Sequence, residues 1–132
     1  KIVDDYAHHP TEIKATLSAA SKVKHNKLRV VFQPHTYTRT KALFEEFVDS
    51  FDHVDSLIIT DIYAAREKDV YGVSSYQLVN AIKAEYPDRE VYYVQDFEDI
   101  VKYLAANAEK DDIVMTMGAG DVYKIGQMML KS

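Results

Sequence analysis

The stretch "EVYYVQDFEDIVKYLAANAEKDDIVMTM", residues 90–117, reads as strand, helix, strand. "EVYYV" (90–94) is short, apolar and rich in β-branched and aromatic residues, which fit a pleated surface. From Phe97 to Ala108, the residues Phe97, Ile100, Val101, Leu104, Ala105 and Ala108 recur at helical spacing and form one apolar stripe. "DIVMTM" (112–117) is again a continuous apolar run. Two such strands separated by a full helix fit a parallel crossover, the connection that parallel strands need.

The same alternation extends upstream and downstream. "KIVDDY" (1–6), "LRVVF" (28–32) and "SLIIT" (56–60) read as three further strands. Between them, Pro10–Lys24 carries Ile13, Leu17 and Ala20 on one helical face, with Pro10 suited to a first helical position. Thr40–Phe51 carries Leu43, Phe44, Phe47, Val48 and Phe51 on another. A helix is expected from about Ser74, where Ser74 and Gln77 offer a capping box. "GAGD" (118–121) opens a last helix ending near Lys131. Five strand–helix alternations predict one three-layer α/β domain, a mostly parallel sheet with helices on both faces. The strands are apolar throughout, as expected for a sheet covered on both sides.

Composition narrows the function. The 132 residues are 47% hydrophobic and 28% charged, typical of a globular domain. No apolar run approaches the roughly 20 residues of a membrane span, and no secretion signal is visible. Without cysteine there is no disulfide and no thiol catalysis. A net charge of −5 argues against nucleic acid as a partner.

In open parallel sheets, ligands lie beyond the carboxyl ends of the strands. Those ends hold Asp4, Asp5, Tyr6, His8 and His9; Gln33, His35, Thr38 and Arg39; Asp61, Tyr63, Arg66 and Glu67; and Gly118, Gly120 and Asp121. The opposite rim shows no comparable clustering. His9 reads best as a helix cap, and Asp4 and Asp5 could simply end a strand. The histidines lack the ligand spacing of a known metal site, so no metal is expected in this domain. "GAGD" is a weak anion-loop signal, because its glycine spacing is not that of nucleotide fingerprints. The loop 61–72 exceeds the usual length of about 2–6 residues in α/β units, which marks it as a candidate functional loop.

"DDYAHHPTEI" (4–13), "VFQPHTYTRT" (31–40), "DIYAAREKDVYGVSS" (61–75) and "GAGDVYKIG" (118–126), in this order, resemble the C-terminal domain of the Mur ligases over essentially the whole chain. The branch they resemble most joins L-alanine to UDP-N-acetylmuramate in peptidoglycan synthesis. The resemblance implies a Rossmann-like third domain that delivers the amino acid and closes over ATP. It also implies two partner domains in the same polypeptide, an N-terminal UDP-sugar domain and a central ATPase domain. No phosphate-binding loop of the Gly-x-Gly-Lys-Thr type occurs here, so residues 1–132 are expected to be that third domain alone, inactive by itself, with Lys1 at the hinge. ATP and Mg2+ would serve the full-length cytoplasmic enzyme through an acyl-phosphate intermediate, with neither tightly bound to this domain. By resemblance, His8, His35 and Arg39 frame the alanine, Asp5 and Tyr6 contact ATP, Tyr63, Arg66 and Glu67 form a rim loop, and Gly118 and Gly120 a candidate anion loop. One departure stands out: some members carry a second basic residue where this chain has Thr36. The alternatives are the same domain of the murein-peptide-recycling ligase, or a stand-alone nucleotide-binding module.

Overall fold

The computed structural model describes residues 1–131. Its elements are β1 (Ile2–Asp5), α1 (Pro10–Ser21), β2 (Leu28–Phe32), α2 (Tyr37–Ala42), α3 (Phe44–Val48), β3 (Ser56–Ile59), α4 (Ser75–Glu85), β4 (Glu90–Tyr93), α5 (Phe97–Asn107), β5 (Ile113–Met117) and α6 (Tyr123–Lys131). The five strands form one sheet in the order β1-β5-β2-β3-β4, and every pairing is parallel.

Period-two alternation splits the strand side chains between two cores. Leu28, Val30 and Phe32, Leu57 and Ile59, and Ile113, Met115 and Met117 face one side, where they meet Ile13 and Leu17 of α1, Phe47 of α3 and Leu78 and Ile82 of α4. Val31, Ile58 and Val114 face the other, against Ile100 and Leu104 of α5 and Ile125 of α6. The expected three layers are therefore present. Ala105, placed on the apolar stripe of α5 by its spacing, is exposed. Among the described residues, no helix is long and apolar enough to cross a membrane.

The expected helix Thr40–Phe51 differs most from the sequence reading. It starts earlier, at Tyr37, and bends at Leu43 (φ −111°, ψ 19°) into two short helices. The start moves because Thr36 acts as N-cap, its hydroxyl accepting from the Arg39 N–H. Capping boxes start α1 and α4; the one at Ser74 is as expected, and the one at His9 adds a reciprocal bond to the expected cap. His9 caps α1 with Glu12 as the reciprocal partner, and Ser74 caps α4 with Gln77.

The lone arginine inside the apolar run of β2 has a dedicated partner. Arg29 and Asp112 are both buried, and the guanidinium Nε donates to the Asp112 carboxylate at 2.9 Å. Asp112 also accepts from Asn26 and from the backbone N–H groups of Lys27 and Glu109. Burial alone would raise this carboxyl's pKa, but the arginine and these donors outweigh it and hold it well below the usual carboxylate range. The pair pins β2 to the segment entering β5 at the amino end of the sheet.

Candidate functional site at the carboxyl rim

The loops leaving the adjacent strands β2 and β5 run to opposite faces, toward α2 and α6 respectively. This divergence opens the crevice where open α/β sheets bind ligands. Four aromatic rings stand in series at this rim. Tyr6 meets His8 edge-on at 5.4 Å, His8 lies 5.7 Å from His35, and His35 stacks on Tyr63 at 5.6 Å with 13° between planes.

Each ring is held by local backbone chemistry. Asp5 ends β1 and accepts from the Ala7 N–H at 2.8 Å, turning the chain so that Tyr6 stands 71% exposed. His8 Nδ1 lies 3.0 Å from the Tyr6 carbonyl. A carbonyl only accepts, so Nδ1 carries a proton and donates. His35 forms an isolated parallel bridge with Tyr63, in which Tyr63 N–H donates to Pro34 and Thr36 N–H donates to Tyr63, each at 2.9 Å.

His35 Nδ1 is buried without a hydrogen-bond partner. Burial, followed by the positive neighbours His8 and Arg39, pushes its pKa below the ordinary histidine value, leaving the imidazole neutral at pH 7. Arg39 projects from the first turn of α2 and, among the described residues, has no ion-pair partner. A half-buried, unpaired guanidinium beside the neutral His35 imidazole is suited to a carboxylate, which its N–H fork can hold through both oxygens.

The loop 61–72 is tied down rather than open. Glu67 accepts from the Thr38 N–H at 3.0 Å and, through its other oxygen, from the Thr38 hydroxyl. Those bonds, the hydroxyl's above all, lower its pKa. Asp61 accepts from the Tyr93 hydroxyl, whose pKa is pushed up to about 12, mainly by that bond. Arg66 is exposed and, among the described residues, makes no hydrogen bond or ion pair.

The glycines of "GAGD" have packing reasons. A Cβ at Gly120 would lie 2.5 Å from the Tyr63 ring, and one at Gly118 would lie 2.9 Å from the Gln33 carbonyl. The Gln33 amide donates to Asp121 at 2.8 Å, while its oxygen accepts from the Val122 N–H at 3.2 Å. Sequence reading placed Gln33 on this rim but gave it no role. Its role needs the β2–β5 contact, which no local pattern encodes.

A family model described as "Mur ligase, glutamate ligase domain" matches residues 1–120. The chain belongs to the Mur ligase family. The UDP-N-acetylmuramate–L-alanine ligase of Alkaliphilus metalliredigens is 58% identical over 130 residues, 98% of this chain and 28% of that protein. This chain thus spans little more than a quarter of the length of the curated relatives it matches. Among solved structures, it is similar to a UDP-N-acetylmuramate–alanine ligase from Thermotoga maritima (TM-score 0.75, 23% identity, 98% of this chain and 26% of that one). It is also similar to a murein peptide ligase from Psychrobacter arcticus (TM-score 0.80, 22% identity, with the same coverage). At these identities the two structures speak for the Mur ligase fold alone.

Proposed function

We propose that residues 1–132 are the amino-acid-presenting domain of a cytoplasmic, ATP-dependent ligase that joins L-alanine to UDP-N-acetylmuramate. The observation that carries this reading is the 58% identity to a ligase of that name across 98% of the chain. The murein peptide ligase shares the fold at 22% identity, a likeness that bears on fold and not on acceptor. In the full-length protein, the UDP-sugar and central ATPase domains would complete the site.

Arg39 receives the alanine carboxylate, and the paired imidazoles of His8 and His35 line the space where the amine points. The His35 ring is a neutral acceptor in this reading, so it orients an amine without repelling it. Holding that amine against an activated carboxyl is the main service such a domain provides. A well-oriented encounter replaces a bimolecular one, worth on the order of 7 kcal/mol or more in favourable cases.

ATP, with Mg2+, supplies the phosphoryl group that activates the sugar's carboxyl. The fit of this domain to ATP is partial. Tyr6 offers an exposed aromatic face and Asp5 a carboxylate oxygen, suited to the base and ribose. The phosphates find no cradle here, because Gly118 and Gly120 are closed off by Gln33 and Tyr63. We therefore assign the two glycines to packing and the phosphates to the central domain.

The test is acceptor choice in the full-length protein. Amide formation with L-alanine, and none with the tripeptide L-alanyl-γ-D-glutamyl-diaminopimelate, is expected. Preferential use of the tripeptide would replace this reading with the recycling ligase.

A further inference from the structure

We infer that Glu67 is a positioning residue, a staple that sets the aim of Arg39 by fixing the N-terminus of α2 from the loop 61–72. The inference rests on the assignment of Arg39 to the alanine carboxylate.

The turn preceding α2 is strained. Thr36 sits at φ 64°, ψ 147°, a combination natural to glycine and costly for a β-branched residue. Such a conformation persists only where its surroundings over-determine it, and here they do. Thr36 N–H donates to Tyr63, while the Thr36 carbonyl accepts from both the N–H and the hydroxyl of Thr40. Two of the backbone donors that a helix start leaves unpaired are also satisfied, Arg39 N–H by the Thr36 hydroxyl at 3.4 Å and Thr38 N–H by Glu67 at 3.0 Å.

The Thr36 bond is long and the Glu67 contact is two-pronged. Glu67 grips the residue immediately before Arg39 through both carboxylate oxygens. Glu67 thus reaches, at the protein surface, the helix that carries the carboxylate-binding cation, and its partner comes from 29 positions away. The same loop supplies Tyr63, whose ring lies between His35 and Gly120. One loop thus controls the placement of both Arg39 and His35.

The experiment compares Glu67→Ala, Thr38→Ser, Thr38→Val, Arg39→Lys and the double variant Glu67→Ala/Arg39→Lys in the full-length ligase. Each substrate is varied in turn, and hydrogen exchange is followed over residues 36–43. Glu67→Ala is expected to raise KM for alanine on the order of tenfold, since small misplacements of a binding group carry penalties of that size. KM for ATP and for the UDP-sugar should stay within about twofold, a split that loss of overall stability would not produce. Thr38→Ser, which keeps both bonds, should behave as the parent, and Thr38→Val should fall between. The double variant should be no worse than Arg39→Lys alone, because the staple acts through that arginine. Exchange at residues 36–43 should accelerate in Glu67→Ala. If Arg39→Lys raises KM for alanine while Glu67→Ala does not, the inference is wrong and the site reading survives. If Arg39→Lys leaves alanine use unchanged, the site reading fails and the positioning role fails with it. Unchanged exchange in Glu67→Ala would overturn the staple itself.

Discussion

The buried guanidinium of Arg29 and the carboxylate of Asp112 meet at 2.9 Å at the amino end of the sheet, opposite the rim that carries His8, His35 and Arg39. Stability and chemistry are thereby separated along the strand axis, and variants at the two ends should give distinct phenotypes.

At the stabilising end, Asp112→Ala leaves a buried guanidinium without its partner. Breaking such a pair from one side costs about 3–5 kcal/mol. Urea unfolding should show that loss with little change in substrate KM. The pH dependence has a defined sign. The Asp112 carboxyl is lower in the folded state than in the unfolded one, so its contribution is complete above the ordinary carboxylate pKa of about 4. It disappears as pH falls through the folded value. The stability gap between parent and Asp112→Ala should therefore be constant from pH 8 to about 5 and narrow only in strong acid.

At the chemical end, Arg39→Lys keeps the charge and loses the planar fork. A lost charge-assisted contact is worth about 1.5–3 kcal/mol. KM for alanine should rise roughly ten- to a hundredfold with a smaller fall in kcat, and KM for the other substrates should hold. An unchanged alanine KM would remove Arg39 from the site.

His35 should oppose acidification. Its folded pKa is depressed by burial and by its cationic neighbours, so the unfolded chain binds the proton more readily. Stability is lost as pH drops through the unfolded histidine value of about 6.5. Thermal unfolding of the parent and of His35→Gln between pH 7.5 and 5 checks this. The parent should lose stability more steeply, and parallel curves would contradict the assignment.

Gly120→Ala forces a methyl group to within 2.5 Å of the Tyr63 ring. The ring must move off His35, at a cost of roughly 1–3 kcal/mol. Combining Gly120→Ala with Tyr63→Ala should recover the part of the cost that comes from the ring, leaving the 2.7 Å approach to the Gln33 amide oxygen. Additive losses, measured by denaturant unfolding, would place the collision elsewhere.

The isolated 132-residue chain should bind ATP at millimolar concentration or more weakly, about −4 kcal/mol, and form no amide. Micromolar affinity in a calorimetric titration would mean that this domain holds phosphates itself.

Much of the fold was legible because its signals are local. The apolar runs, the helical stripe from Phe97 to Leu104, Pro10 at a helix start and the Ser74–Gln77 box each state their structure within a few residues. The break at Leu43 and the early start at Tyr37 were not legible. They depend on Thr36 holding a positive φ, which no threonine announces. At the rim, position along the strands identified the residues, but their roles stayed hidden. Gln33 to Asp121, Glu67 to Thr38 and Tyr63 over Gly120 join segments 29 to 88 positions apart or pack across strands, and only tertiary structure states such pairings.

Strand order has a consequence for biosynthesis. β5 is the last strand in the chain, yet it lies between β1 and β2 and is the sole sheet neighbour of β1. During translation, β2, β3 and β4 can join in sequence as they emerge, while β1 waits for residues 113–117 with both edges bare. The domain therefore closes by insertion of its final strand into a gap, a long-range step that is intrinsically slow and exposes unpaired strand edges. Until residues 113–117 are free to pair, the chain can hold at most a three-stranded sheet of β2, β3 and β4, with β1 unpaired.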